Sequence, residues 1–282
     1  MAAAHLATIT IPFSPIALKF GAATIRWYGV AYLVAFAIGG GIAIRYVSRR
    51  GISEQAGNSI LFWTIIWGLI GARLYFVVQS GFGWYLTHPQ HILAIWEGGM
   101  AFFGAIFAAV LVLLYSAWRR KLNFWVLLDA GVIFAAVGQP IGRIGNIMNG
   151  EILGPPSNLP WAFEYTNPQS MAPHLGVAYV PAAAYEALGT LMILAILLLL
   201  ARRGVPDGVL GIAYLILYPI SQLVVFFWRT DYETPVIWAG LRQGQLTAIA
   251  VLVLVVPVVT YIWWRTRQAK EPELRQLAAA AG

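Results

Sequence analysis

The chain contains no cysteine among its 282 residues. Disulfide bonds, thiolate metal sites and a nucleophilic cysteine are therefore excluded for this chain. If a thiol takes part in its chemistry, that thiol belongs to a substrate. We expect the chain to use neither a metal ion nor a cofactor.

Charged residues are also scarce, since they make up 10% of the chain while 60% of its residues are hydrophobic. A soluble domain carries about 25% charged residues. The chain instead contains long runs of uncharged residues. The core of a soluble protein could not bury so many apolar residues, so these runs must lie in a lipid bilayer. We predict an all-α integral membrane protein with a single membrane-embedded domain over residues 1–282.

Seven segments are long enough to cross a hydrocarbon core of about 30 Å, which takes about 20 helical residues. They are Trp27–Val47, Gln55–Val78, Gly98–Trp118, Leu122–Gly142, Ala182–Ala201, Gly208–Trp228 and Gln243–Trp264. No cleavage site of small residues after a charged stretch precedes the first segment. We therefore expect the first span to serve as its own uncleaved insertion signal.

The distribution of Lys and Arg predicts the orientation of these spans. The loops after spans one, three and five and the C-terminal tail, together with Arg45 at the end of span one, hold twelve of the eighteen basic residues. Because basic residues accumulate on the cytoplasmic side, the N-terminus is predicted outside and the C-terminus in the cytoplasm. Segments 1–26 and 144–181 are then extracytoplasmic and the tail 265–282 is cytoplasmic. The same rule accounts for the net charge of +7, so we expect no nucleic-acid partner.

Three arginines lie at the predicted extracytoplasmic ends of spans, where the preference of basic residues for the cytoplasmic side does not explain them. Arg73, Arg143 and Arg229 each stand at the predicted outer end of a span. Any one of them could simply extend its side chain to the lipid headgroups. Three of them on spans two, four and six favour a shared role, and the guanidinium fork is suited to binding phosphate.

The densest group of polar residues is the segment GQPIGRIGNIMNGEILG, Gly138–Gly154. Pro140 is predicted to kink or end the fourth helix and to free backbone groups that a polar cavity must satisfy. The glycines allow close approach of another backbone or a headgroup. Helix packing alone would explain the glycines, but it does not require an arginine, two asparagines and a glutamate in one place.

The segment GRIGNIMNGEILG, Gly142–Gly154, resembles the signature of the bacterial prolipoprotein diacylglyceryl transferases. Other motifs of that family follow in the same order and cover most of the chain. These motifs are IRWYGVAY at Ile25–Tyr32, GARL at Gly71–Leu74, WEGGM at Trp96–Met100, FFWRTDYE at Phe226–Glu233 and GQL at Gly244–Leu246. Agreement of so many ordered blocks by chance is remote.

The resemblance implies a transfer reaction in the plane of the bacterial cytoplasmic membrane. Phosphatidylglycerol donates its diacylglyceryl group to the lipobox cysteine of a prolipoprotein signal peptide, and glycerol phosphate leaves. Such a reaction needs a phosphate clamp for the leaving group, a proton acceptor for the thiol and lateral access for membrane lipids.

The resemblance also implies the residues of the site. The catalytic residues would be Arg143 and Arg229, which bind the phosphate, and Glu151. The substrate-binding residues would be Tyr28, Asn146, Gly154, Arg73, Gly98 and Gly99.

Two positions depart from the family pattern. The segment GGMAFFGA has Phe103, and the segment VPAAAYE has Val180, where the family has histidines. One explanation is that Glu151, Tyr28 or hydroxide removes the thiol proton, because a thiol with a pKa of about 8.5 is readily deprotonated. The other is a catalytically altered paralogue that binds phospholipid without transferring it to a prolipoprotein.

Other readings of the membrane topology are weaker. A retinal protein needs a lysine within its seventh span, and all three lysines lie outside the spans. A small membrane transporter would show repeated halves with paired broken helices, and no internal repeat is visible. Asp129 and Glu186, two acids in or near spans, are either functional or paired structurally.

Overall fold

A computed structural model describes residues 8–21, 23–94, 99–229 and 236–280 of the chain. Most of these residues are helical, and the long helices are apolar with few charges. A helix satisfies its own backbone N–H and C=O groups, which a segment in hydrocarbon requires. The chain is therefore a predominantly helical, multi-pass membrane protein, as the composition predicts.

Eight α-helices lie in the described residues. They are α1 (Trp27–Ser48), α2 (Glu54–Gln79), α3 (Phe82–Thr87), α4 (Phe102–Arg120), α5 (Phe124–Asn149), α6 (Ala182–Arg202), α7 (Val209–Val225) and α8 (Gln243–Ala280). A 3₁₀ turn at Pro89–Ile92 follows α3, and another at Phe226–Trp228 follows α7. The first turn of α2 is capped because the Ala56 N–H donates to the Ser53 hydroxyl at 3.3 Å.

Six helical segments of the described chain are long and apolar enough to cross a membrane. They are Trp27–Ser48, Glu54–Val78, Phe124–Asn149, Ala182–Arg202, Val209–Trp228 and Gln243–Tyr261. Six of the seven predicted spans are thus matched by helices that are long and apolar enough to cross a membrane. The third predicted span corresponds to α4, which has 19 residues and is not among these six. The count of seven stays a prediction, as does the orientation of the termini.

The helix α5 does not end at Pro140 but continues to Asn149. A proline removes one N–H from the hydrogen-bond ladder, and here the neighbouring turns retain helical geometry. Of the two predicted effects of Pro140, the ending of the helix is therefore wrong, and the kink stays a prediction. Residues 144–149, predicted to begin the loop, are helical, and the connection to α6 starts at Gly150.

Three small sheets, which the sequence did not predict, accompany the helices. The strands are β1 (Ile9–Ile11), β2 (Ile16–Phe20), β3 (Ala23–Arg26), β4 (Phe163–Tyr165), β5 (Ala178–Tyr179), β6 (Val236–Trp238) and β7 (Leu241–Arg242). The first sheet has the order β1-β4-β5, with β1 parallel and β5 antiparallel to β4. The pairs β2-β3 and β6-β7 are antiparallel. Ile11, Tyr165 and Tyr179 of the first sheet form a buried cluster with Leu153, so this sheet supports the segment after α5.

The chain divides into two compact units. The first comprises Met1–Ala37, Ala135–Val205 and Val209–Gly282, and the second comprises Ile38–Phe134 and Pro206–Gly208. The second unit contains a core built around Ile60, Leu113 and Leu127.

In the second unit, α2 and α4 approach closely at a pair of glycines. A Cβ added to Gly71 would lie 2.5 Å from Gly104 O and 2.5 Å from Ala108 Cβ. Neither distance is possible for a real methyl group, so glycine at position 71 is required by helix packing. The GARL motif is thereby explained in part as a packing motif.

Asp129, the acid within the fourth predicted span, has a structural role in the second unit. Its side chain is fully buried. Its Oδ2 accepts hydrogen bonds from the Tyr46 hydroxyl at 3.0 Å and from the Gly208 N–H at 2.8 Å. Asp129 therefore ties the segment before α7 to α1 and α5, which favours the structural interpretation of this acid.

Candidate functional site

The centre of the candidate site, in the first unit, is Arg143 in the last two turns of α5. Its Nη1 donates to Asn146 Oδ1 at 2.9 Å, and its Nη2 donates to Glu186 Oε1 at 2.5 Å. Its buried Nε donates no hydrogen bond within the part of the chain that the structure describes. A guanidinium held on two sides directs its remaining N–H groups in one orientation, which suits recognition of an oxyanion.

Glu186, from α6, is the buried partner of Arg143. Its side chain is 1% exposed, and a buried carboxylate is costly unless it is paired and hydrogen-bonded. Besides the ion pair, its Oε1 accepts a hydrogen bond from Gln222 Nε2 of α7 at 3.1 Å. Its Oε2 is buried and accepts no hydrogen bond from the described residues. Helices α5, α6 and α7 thus converge on one ion pair.

Asn146 links Arg143 to Glu151. Its amide oxygen accepts from Arg143, and its Nδ2 donates to Glu151 Oε2 at 2.8 Å. Arg143 and Asn146 are three residues apart on α5 and therefore lie on the same helix face. Asn146 itself is buried, whereas Glu151 is half-buried. The result is a hydrogen-bonded chain from Glu186 through Arg143 and Asn146 to Glu151.

The turn after α5 returns Glu151 to the end of that helix. Gly150 has φ +82°, the left-handed conformation that ends many helices and that glycine adopts without strain. The N–H groups of Gly150 and Glu151 both donate to Asn146 O at 3.0 Å. Glu151 consequently lies beside Asn146 instead of continuing away from it.

Tyr165, from β4, stabilises the same end of α5. Its hydroxyl donates to Ile147 O at 2.8 Å, a carbonyl at the helix end that also accepts from the Gly150 N–H at 3.3 Å. Burial, and to a lesser extent the negative charge of Glu151, raises the pKa of Tyr165. The hydroxyl therefore remains a neutral donor at physiological pH.

Gly154 allows two segments of the first unit to pass each other. Its N–H donates to Val180 O at 2.8 Å. A Cβ at this position would overlap Trp228 O and lie 2.7 Å from Val180 Cβ. Trp228 immediately precedes Arg229, so the absence of a side chain at Gly154 positions Arg229 relative to the turn that carries Glu151.

Arg229 follows the 3₁₀ turn after α7. Its Cζ lies 4.8 Å from the centroid of the Phe226 ring, a cation–π contact. Trp228, the residue before Arg229, packs against Gly154 of the signature segment. Arg229 therefore follows a residue that contacts the segment carrying Arg143.

Tyr28 stands in the first turn of α1, close to α5. Its hydroxyl donates to the Tyr32 hydroxyl at 3.1 Å, and the two rings are 4.7 Å apart. A Cβ on Gly145 would lie 3.1 Å from the Tyr28 Cα, so this glycine allows α1 and α5 to approach.

Arg73 and Gly99 belong to the second unit, and Gly98 lies outside the described residues. The Arg73 side chain is buried. It donates to the backbone carbonyls of His91, Ile92 and Gly99 at 2.5, 2.9 and 2.9 Å. These contacts anchor the connection between α2 and α4. A substrate-binding role for Arg73 and Gly99 stays a prediction.

Val180 and Phe103 occupy the two positions at which the family pattern has histidine. Val180 is buried, and its backbone carbonyl and side chain both contact Gly154. The side chain of Phe103 lies outside the described part of the structure. Of the chain's histidines, His88 stacks on Trp84 in the second unit, and His174 is exposed in the loop before α6.

Sequence reasoning did not single out Gln222, and it left the role of Glu186 open. A glutamine within the apolar run of α7 was the available signal for Gln222, because polar residues inside spans are costly and mark buried contacts.

Comparison with known proteins adds a separate observation. A family model described as prolipoprotein diacylglyceryl transferase matches residues 15–263. Three similar proteins are all named phosphatidylglycerol–prolipoprotein diacylglyceryl transferase. The one from Bordetella avium is 31% identical over 92% of this chain and 98% of its own length. That from Synechococcus elongatus is 33% identical over 88% and 87%, and that from Rhodospirillum centenum 32% over 96% and 99%.

Proposed function

We propose that this chain, which belongs to the prolipoprotein diacylglyceryl transferase family, transfers a diacylglyceryl group from phosphatidylglycerol to a prolipoprotein. The observation that carries the proposal is the hydrogen-bonded group in which Arg143, Asn146 and Glu151 of the family's signature segment are joined to Glu186 of α6. We infer that the acceptor is the lipobox cysteine of the prolipoprotein signal peptide.

Arg143 and Arg229 would bind the phosphate of the donor lipid. In the reaction the cysteine sulfur forms a bond to a glyceryl carbon, and the bond from that carbon to the phosphate oxygen breaks. The phosphodiester with one negative charge becomes a glycerol phosphate with up to two. Two guanidinium groups at that phosphate would stabilise this developing charge in a setting of low dielectric.

Glu151 would accept the thiol proton. Its carboxylate lies beside Asn146 and is half-buried, so it is placed between the buried arginine and solvent. Asn146 donates to one oxygen and so orients the carboxylate. The proton passes from sulfur to the Glu151 carboxylate and from there to water. Glu151 would thus take the role of the family's histidines, which Phe103 and Val180 cannot perform.

The distribution of Lys and Arg supports an orientation of the chain in the membrane. We infer seven spans with the N-terminus outside, because an odd number of spans separates the termini and the basic tail favours the cytoplasm. The site at the C-terminal end of α5 then faces the outer leaflet of the bacterial cytoplasmic membrane, where prolipoproteins emerge.

The proposed function is tested with purified protein in phosphatidylglycerol liposomes and a synthetic lipobox peptide. We expect the peptide to gain the mass of one diacylglyceryl group, with equimolar release of glycerol phosphate. A peptide with serine in place of its cysteine is the control and should gain nothing. Tight binding of phosphatidylglycerol without any transfer would instead favour the altered paralogue.

Substituting Glu151→Gln tests the proton acceptor. At pH 7 we expect the rate of transfer to fall by about a hundredfold or more, the usual contribution of a general base. Raising the pH toward 9 should restore much of the rate, because the peptide thiol, with a pKa of about 8.5, then ionises without help. Glu164→Gln, an acid of β4 outside the site, is the control. A loss that persists at pH 9 would show that Glu151 acts in another way.

A further inference from the structure

Two buried polar atoms of the Arg143–Glu186 pair have no partner among the described residues. They are Arg143 Nε, which can only donate a hydrogen bond, and Glu186 Oε2, which as a carboxylate oxygen can only accept one. Each is bonded to the carbon that also carries an atom of the 2.5 Å contact between Nη2 and Oε1. The pair thus leaves one donor and one acceptor without a partner among the described residues, each two bonds away from an atom of the ion-pair contact.

Buried polar atoms are almost always hydrogen-bonded, so a pair of this kind indicates a missing partner. The partner must accept from the Nε–H and donate to the carboxylate oxygen. A hydroxyl group does both. A phosphate oxygen would be repelled by the carboxylate, and an ammonium group would be repelled by the guanidinium and could not accept from Nε.

We propose that the Arg143–Glu186 pair binds a hydroxyl of the glycerol headgroup of phosphatidylglycerol, which makes Glu186 the residue that selects the donor lipid. This inference rests on the proposed function, in which Arg143 also contacts the phosphate. The headgroup glycerol is bonded to that phosphate, so its hydroxyls are within reach of the same guanidinium. Gln222 keeps the carboxylate oriented by donating to Oε1, and Oε2 remains available.

The proposal accounts for an acid in a site that binds an anion. A carboxylate next to a phosphate clamp weakens the attraction for phosphate, so a purely anionic ligand gives no reason for it. The carboxylate does have a use if the site must distinguish a headgroup hydroxyl, which can donate a hydrogen bond to it, from a methyl group, which cannot. A buried charged acceptor left unsatisfied penalises any headgroup that lacks the hydroxyl.

The test compares phosphatidylglycerol with phosphatidylpropanol, whose headgroup lacks both hydroxyls, in the liposome assay. Both donors yield the same lipidated peptide, so its mass is one readout for both. We expect the wild type to prefer phosphatidylglycerol by about tenfold to a hundredfold in kcat/KM, the range for a hydrogen bond to a charged group. Equal use of both lipids by the wild type would overturn the proposal and would mean that the pair binds only water.

The variant Glu186→Gln separates selection from stability. Arg143 and Gln222 both donate to Oε1, so the amide oxygen should occupy that position and an NH₂ donor should replace Oε2. We expect the rate with phosphatidylglycerol to fall about tenfold further than the rate with phosphatidylpropanol, so that the preference is lost. Equal losses with both lipids would show that Glu186 is structural. Glu164→Gln is the matched control and should retain rate and preference.

Failure of the proposed function can be distinguished from failure of this inference. If the wild type transfers nothing from phosphatidylglycerol, the transferase assignment fails. Binding of short-chain phosphatidylglycerol and phosphatidylpropanol to wild type and Glu186→Gln, measured by calorimetry, then tests the hydroxyl site alone. Tighter binding of phosphatidylglycerol that Glu186→Gln abolishes would support the site, and equal affinities would overturn it.

Discussion

Replacing Arg143 by alanine is expected to lower kcat/KM for diacylglyceryl transfer by about a thousandfold. The substitution removes one of two guanidinium groups that stabilise the leaving phosphate, a contribution comparable to that of other oxyanion donors. It also leaves Glu186 buried without its ion-pair partner. The measurement is the initial rate of peptide lipidation in phosphatidylglycerol liposomes at several lipid fractions. Arg202→Ala, an exposed arginine in the last turn of α6, is the control and should retain activity.

Loss of stability must be separated from loss of chemistry in this variant. Removing one member of a buried ion pair costs about 3–5 kcal/mol, whereas replacing both by apolar residues is often nearly neutral. The double variant Arg143→Ala with Glu186→Leu should therefore recover thermal stability but not activity. Recovery of activity in the double variant would exclude Arg143 as a phosphate ligand.

The variant Gly154→Ala is expected to reduce transfer by about a hundredfold, although it adds a single methyl group. That methyl would overlap Trp228 O and crowd Val180 Cβ, so the backbone before Arg229 must move. A displacement of about 1 Å in a catalytic group can cost a hundredfold in rate. We expect kcat to fall more than the affinity for phosphatidylglycerol, since Arg143 stays in place.

The control for this variant is Gly41→Ala. No atom lies within 4 Å of a Cβ built at Gly41, so the same methyl group meets no obstacle there. Thermal stability of both variants should be measured alongside the rate. Wild-type activity in Gly154→Ala would show that the position of Arg229 does not depend on this contact.

The sequence predicted the elements that depend on local patterns. Apolar runs of about 20 residues identified six of the helices that can span a bilayer, because hydropathy is a property of each segment alone. Arg143 and Asn146 stand three residues apart, so the helical geometry of α5 brings them onto one face and into contact. The sequence predicted that Pro140 kinks or ends this helix, and the structure contradicts the second effect, since α5 continues to Asn149.

The family was also recognisable from the sequence. The segment Gly142–Gly154 and five further motifs carried the resemblance, and the family match over residues 15–263 confirms it. The short strands were not predicted, because segments of two to five residues are too short to show the alternation of apolar and polar residues that identifies a strand. The strand β1, for example, pairs with β4 more than 150 residues later, since Ile9 is in register with Phe163.

The membrane class and the family of this protein follow from its sequence alone, since each depends on patterns among residues close together in the chain. The partners of the polar residues on α5 depend on the tertiary structure. Arg143 donates to Glu186 of α6, 43 residues further along the chain, and Gln222 of α7 donates to Glu186. Arg73 looked like a third phosphate ligand, yet its guanidinium donates to backbone carbonyls of the second unit. Contacts between distant segments depend on how helices pack, and no local pattern encodes that packing.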